Sequence, residues 1–172
     1  MRSEPFSVRC ETEFHSSKRV YMAKLFVDKM IDISAVPSKV WEVLTRQNYT
    51  RQWATEFNGG SPFQIESDWN LGSPVLWKDQ DGKVIVEGTV TAIEQNKLLR
   101  FTVFDVRSAE RPSTTEESGI TYQLSEKNGK TTLHILQGDF SVMADGEKYR
   151  DMSAEVWDRV LPSVKELAER TK

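Results

Sequence analysis

Just past Ile33 the chain changes its hydrophobic period, and this constrains the fold more than any other stretch. Within Met30-Ile31-Asp32-Ile33, the apolar Ile31 and Ile33 alternate with the polar Asp32, as in a half-buried strand. Ser34 interrupts it, Pro37 presets the first turn of a helix, and Val40, Trp41 and Leu44 then recur at helical spacing. A strand therefore runs straight into a short amphipathic helix. A second amphipathic segment, over 148–170, closes the chain, and what lies between reads as strands and hairpin turns. One long helix must then cover the buried face of a large antiparallel sheet, and that pairing can enclose a pocket.

The order of elements predicts an α+β chain: a strand, two short helices, about six antiparallel strands and a long last helix. The first strand is expected within 23–34, with a bulge near Lys29-Met30 where the alternation slips. Helices are expected over 37–44 and 46–53. Strand signals follow at 63–66, from Pro74, over 83–94, 98–106, 120–124 and 131–136. Asp81-Gly82, Gln95-Asn96 and Asn128-Gly129 supply turns between them. Short connections make a meander the simplest topology. On the last helix Val156, Trp157, Val160, Leu161, Val164, Leu167 and Ala168 share one side, and Pro162 inside it predicts a kink.

With 172 residues the chain suits a single domain, expected over 22–172. Residues 1–21 are expected to be a poorly ordered extension, with Met22 an alternative start and an added arm the rival reading. Charge and composition narrow the partners. A net charge of −3 with scattered basic residues gives no reason to expect nucleic acid. No apolar run approaches the ~18 residues of a membrane span, and the polar N-terminus lacks a signal-peptide pattern. A single cysteine, Cys10, cannot close an internal disulfide, so a cytoplasmic location is expected.

The sequence resembles the helix-grip superfamily (START-like, SRPBCC) that includes START lipid-transfer domains, the birch-pollen-allergen group and polyketide cyclases. It is most similar to the branch named after the activator of heat-shock-protein 90 ATPase. The residues that carry this are Ile33-Ser34-Ala35 with Pro37, Val40-Trp41 and Leu44-Thr45; Arg51-Gln52-Trp53; Gly88-Thr89-Val90; Leu99-Arg100-Phe101-Thr102; Thr131-Thr132-Leu133; and Trp157 with Leu161. The resemblance runs from about Ala23 to Leu167. It implies a curved antiparallel sheet wrapped around the last helix, with a cavity between them. Members bind, transport or transform very different molecules, so it implies no one activity. The namesake's co-chaperone activity is not carried over, because this chain is expected to lack the namesake's second domain.

No catalytic motif is present. Gly59-Gly60 lacks the Lys-Ser/Thr of a phosphate loop, and one cysteine with two distant histidines does not make a zinc site. No metal and no cofactor are expected. On the strand over 131–137, Leu133 and Ile135 face inward, which puts His134 on the wet face. The same parity turns Gln137 inward, as a pocket's polar anchor or as a hydrogen-bond partner for a nearby loop. The inner wall is expected from Val86, Gly88 and Val90, from Leu99, Phe101 and Val103, and from Ile120, Tyr122 and Leu124. Gly88 marks a bend or room for a bound molecule. Tyr122 is either a donor to a ligand or an internally paired core tyrosine. Trp53, Phe57, Trp69 and Trp77 lie where such a pocket has its mouth, although aromatic rings are commonly core. Trp157 and Leu161 cover the wall from the last helix, or fill the space completely. No catalytic acid or base is assigned among the carboxylates.

The favoured expectation is a module that binds a small apolar or amphipathic molecule between the sheet and the last helix, not an enzyme. A protein–protein adaptor, resembling a co-chaperone, is the alternative; it needs an exposed apolar patch and is favoured by a filled interior. A cyclase- or hydrolase-type enzyme is the third reading and needs a polar cluster deep in the cavity. No nucleic acid partner and no membrane insertion are expected.

Overall fold

The structure is a computed structural model and describes residues 23–109, 111 and 117–170. The expected extension, with Cys10 and His15, lies outside the described residues. Strand β1 (Val27–Ile33) leads into helices α1 (Pro37–Thr45) and α2 (Gln47–Trp53) and a 3-10 turn (Ala54–Asn58). Seven strands follow: β2 (Gln64–Glu66), β3 (Pro74–Lys78), β4 (Val84–Glu94), β5 (Leu98–Phe101), β6 (Phe104–Asp105), β7 (Gly119–Lys127) and β8 (Lys130–Gly138). A second 3-10 turn (Phe140–Val142) delivers the chain to α3 (Gly146–Arg170). Pro37 stands at the start of α1, as its fixed φ favours.

The strands form one curved antiparallel sheet in the order β1-β8-β7-β5-β4-β3-β2, with β6 beside β4, and it wraps around α3. This is the helix-grip arrangement. From β2 to β5, and again from β7 to β8, neighbours in the sheet are neighbours in sequence, as a meander requires. β1 departs from that by pairing with the last strand. Asn128 (φ 55°) and Gly129 (φ 74°) both take the left-handed conformation that the tight β7–β8 hairpin demands. Alternation along β8 buries Leu133 and Ile135 and puts His134 on the opposite face, bonded to Asp28 (2.8 Å) and Gln123 (3.2 Å).

Two strand expectations are corrected. β1 carries no bulge: its register with β8 runs unbroken from Val27↔Gln137 to Ile33↔Thr131. The apparent slip at Lys29 arises because a lysine occupies an inward position of an edge strand, and its ammonium reaches Asp158 on α3 at 2.7 Å. The strand expected over 98–106 is broken after Phe101. Thr102 donates its N–H to the Thr89 carbonyl (3.0 Å) and accepts the Thr89 N–H on its hydroxyl (2.9 Å), so a side chain replaces a ladder bond. The chain then resumes as β6 against Val86 and Glu87.

Candidate functional site

Beneath α3 the interior is occupied by rings. Trp69, Phe101, Tyr122, Trp157, Phe57, Trp77 and Phe63 form a continuous chain, with successive centroids 5.6, 5.5, 6.1, 4.9, 5.7 and 5.2 Å apart. Most of these contacts are edge-to-face or tilted, the favourable geometries for aromatic pairs. Trp157 is fully buried at the centre of this chain and donates its indole N–H to Gln137 Oε1 at 2.8 Å. Gln137 is thus the inward polar residue that the strand parity predicts, and its partner is a core tryptophan. Trp53 and Trp69 tie the helical pair down by donating to the carbonyls of Val43 (2.8 Å) and Thr45 (2.9 Å). Tyr122 is sealed between Phe101 and Trp157, and burial pushes its phenol pKa up.

Gly88 does not leave room for a ligand. A Cβ there would lie 1.7 Å from the Thr102 carbonyl oxygen. The glycine admits the backbone of the broken strand, not a guest molecule.

Open space lies elsewhere, as a recess of about 660 Å³ at the N-terminal end of α3. One wall is the irregular stretch created by the break after Phe101, through Thr102, Val103 and Phe104. The end of β8 with Gln137 and Phe140 forms another, and Met143 and the first turns of α3 the third. Its rim carries exposed apolar side chains: Val142 (46 %), Tyr149 (45 %) and Met152 (53 %). Of the residues expected around a cavity, Phe57, Val103 and Gln137 line this recess. Trp53, Trp69, Trp77, Val86, Gly88, Phe101, Tyr122, Trp157 and Leu161 do not, being committed to the packed interior or set behind the wall.

The charges near the recess are matched internally. Arg107 grips Asp105 through two bonds of 2.9 and 2.7 Å and so holds its carboxyl below the usual carboxylate range. Arg111 pairs with Glu87 and lies over the Phe104 ring, 5.5 Å from its centroid. Burial disfavours ionisation of Asp139, but the N–H groups of Leu25 (2.9 Å) and Ser141 (2.8 Å) outweigh it and keep this carboxyl low as well. Among the described residues, a site so arranged offers apolar area with a few backbone and hydroxyl groups, and no surplus charge.

Among the described residues no group of three or more His, Cys, Asp or Glu is placed to hold a metal ion. No helix among them is long and apolar enough to cross a membrane.

Comparison with known proteins agrees with this architecture. No curated protein matches the chain. Among solved structures, protein MLL2253 from Mesorhizobium loti superposes with a TM-score of 0.65 at 20 % identity, over 86 % of this chain and 98 % of that one. The Aha1 dimer from Colwellia psychrerythraea gives 0.62 at 18 %, over 86 % and 98 %. ChR145 from Cytophaga hutchinsonii gives 0.64 at 22 %, over 87 % and 97 %. At these identities the likeness establishes the fold. The profile described as "Activator of Hsp90 ATPase homolog 1-like protein" matches residues 34–169, nearly all of the sheet and its helices, and the chain belongs to that family.

Proposed function

We propose that this chain is a binding module that acts as an adaptor for a protein partner, taking an apolar segment of that partner into the recess at the head of α3. The observation that carries this reading is the exposed rim of Val142, Tyr149 and Met152 beside an interior already filled by aromatic rings. A small guest enclosed by the fold does not need apolar side chains left facing water, whereas a docking protein covers them. The family description, which names an activator of another protein's ATPase, supports the same choice. Because the nearby charges are already paired, affinity comes from apolar area, at roughly 25 cal/mol per Å² less the cost of ordering the partner.

The test is calorimetric titration of the full chain with the Hsp90-class ATPase of its own host. Saturable binding is expected, weakened at least about tenfold by Met152→Glu, a change at an exposed position that leaves the fold intact. Absence of binding by the unaltered chain, or equal binding by the folded variant, refutes the adaptor reading at this recess.

A second reading is favoured by one observation, the recess volume of about 660 Å³. This falls within the roughly 300–1,000 Å³ usual for small-molecule sites. Under this reading the occupant is a small apolar or amphipathic molecule. Native mass spectrometry of protein purified from its own host detects it as an added mass.

A further inference from the structure

We propose that the recess has an inner subsite behind Phe57, where the indole N–H of Trp77 donates to the one hydrogen-bond acceptor of an otherwise apolar ligand, a ketone, ester or carboxylic acid on an aryl or alkyl body. This rests on the small-molecule reading above. Three buried or half-buried tryptophans, Trp53, Trp69 and Trp157, each give their N–H to an oxygen at 2.8 to 2.9 Å. Trp77 is only 8 % exposed, yet its Nε1 is fully buried and has no partner among the described residues. Orphaned donors of this kind are rare in native interiors and call for an acceptor, which an ordered water or a ligand group supplies.

The position of Trp77 connects it to the recess by two routes. Phe57 lines the recess and also packs on Trp77, with centroids 5.7 Å apart. Across the sheet, Trp77 pairs with Val86, and Val86 pairs with Asp105 in the recess wall. Phe57 therefore touches both the open space and the Trp77 ring, and in this proposal it is the partition between the recess and the unpartnered N–H. It belongs to the 3-10 turn Ala54–Asn58, capped by Gly59 at positive φ, and not to a strand, so shifting its ring off Trp77 and Trp157 to admit a ligand would leave the strand pairing intact. An indole N–H is a donor only, and its ring contacts here are the apolar Phe57 and Phe63. Together these select a ligand with one acceptor and an apolar body.

Acetophenone and ethylbenzene, nearly the same shape with and without an acceptor, serve as probes in an NMR titration of the full chain. The methyl signals of Met143 and Met152 report occupation of the recess, and the indole signals report the N–H. Acetophenone is expected to move both the methyl signals and the Trp77 N–H, the latter downfield, while ethylbenzene moves the methyl signals without a downfield indole shift. Trp77→Phe is expected to weaken acetophenone roughly five- to tenfold and leave ethylbenzene unchanged. If this variant does not fold, the titration of the unaltered chain decides alone, with the Trp77 signal assigned through its contacts to Phe57 and Phe63. Recess methyls that respond to acetophenone while the Trp77 N–H stays fixed overturn the inner subsite and leave the small-molecule reading standing. If neither probe moves the methyls, that reading falls and the subsite falls with it.

Discussion

Replacing Gly88 by alanine tests the close approach that breaks the fifth strand. The new Cβ would meet the Thr102 carbonyl oxygen at 1.7 Å and its carbon at 2.6 Å, so the two segments must separate by about 2 Å to reach ordinary contact. That separation pulls on the two bonds joining Thr89 and Thr102, now 3.0 and 2.9 Å. Losing both costs about 2 kcal/mol, and displacing packed backbone adds about 1–3 kcal/mol. Alanine returns about 0.4–1 kcal/mol by restricting the unfolded chain. The net expectation is a loss of about 3 kcal/mol, a fall in melting temperature of about 6–12 °C for a chain of this size. Urea denaturation and calorimetry measure both. A variant within about 0.5 kcal/mol of the parent refutes the reasoning, since it shows the space above Gly88 to be free, as a ligand-room role requires.

Two further perturbations concern ionisable groups. Burial raises the Tyr122 phenol above its unfolded value, so its contribution is whole below about pH 10 and is lost as pH climbs past that value. Tyr122→Phe is expected to remove this loss, making the variant's decline between about pH 8 and pH 11 smaller by about 1.4 kcal/mol in urea titrations; parallel declines count against it. Asp139 is the opposite case, with a carboxyl held low, so what it adds is present above about pH 4 and disappears as pH falls through its folded value. Asp139→Ala gives up the Leu25 and Ser141 bonds at a partly solvated site and is expected to cost about 1–2 kcal/mol near neutrality, the gap closing in acid. A gap that persists unchanged at low pH refutes the assignment.

Much of the scaffold is legible in the residues. Pro37 before Val40, Trp41 and Leu44 marks α1, Asn128-Gly129 marks the last hairpin, and the parity of Leu133, Ile135 and Gln137 gives the inner face of β8. What escapes is set by contacts between distant segments. The break after Phe101 depends on Thr102 closing over Gly88, and no local pattern in 98–106 signals it. Lys29 reads as a slip because its partner, Asp158, is on another element. The recess shows the same division. Met143, Phe140 and Phe104 come together only through the fold, but Tyr149 and Met152 extend the α3 stripe back from Val156 at helical spacing, a signal within reach of the sequence. Aromatic residues are the natural cavity candidates in the sequence, yet most pack on one another, because rings bury more area against rings than against an open space.

The pairing of the first strand with the last has a consequence for synthesis. Val27 finds its partner at Gln137 and Ile33 at Thr131, about a hundred residues farther along. At typical translation rates of ~5–20 residues per second, a nascent β1 waits on the order of 5–20 s before β8 leaves the ribosome. Throughout that interval Val27 and Ile33 lack their strand partner, so the growing chain's need for shelter lasts until β8 emerges, only a few residues ahead of α3.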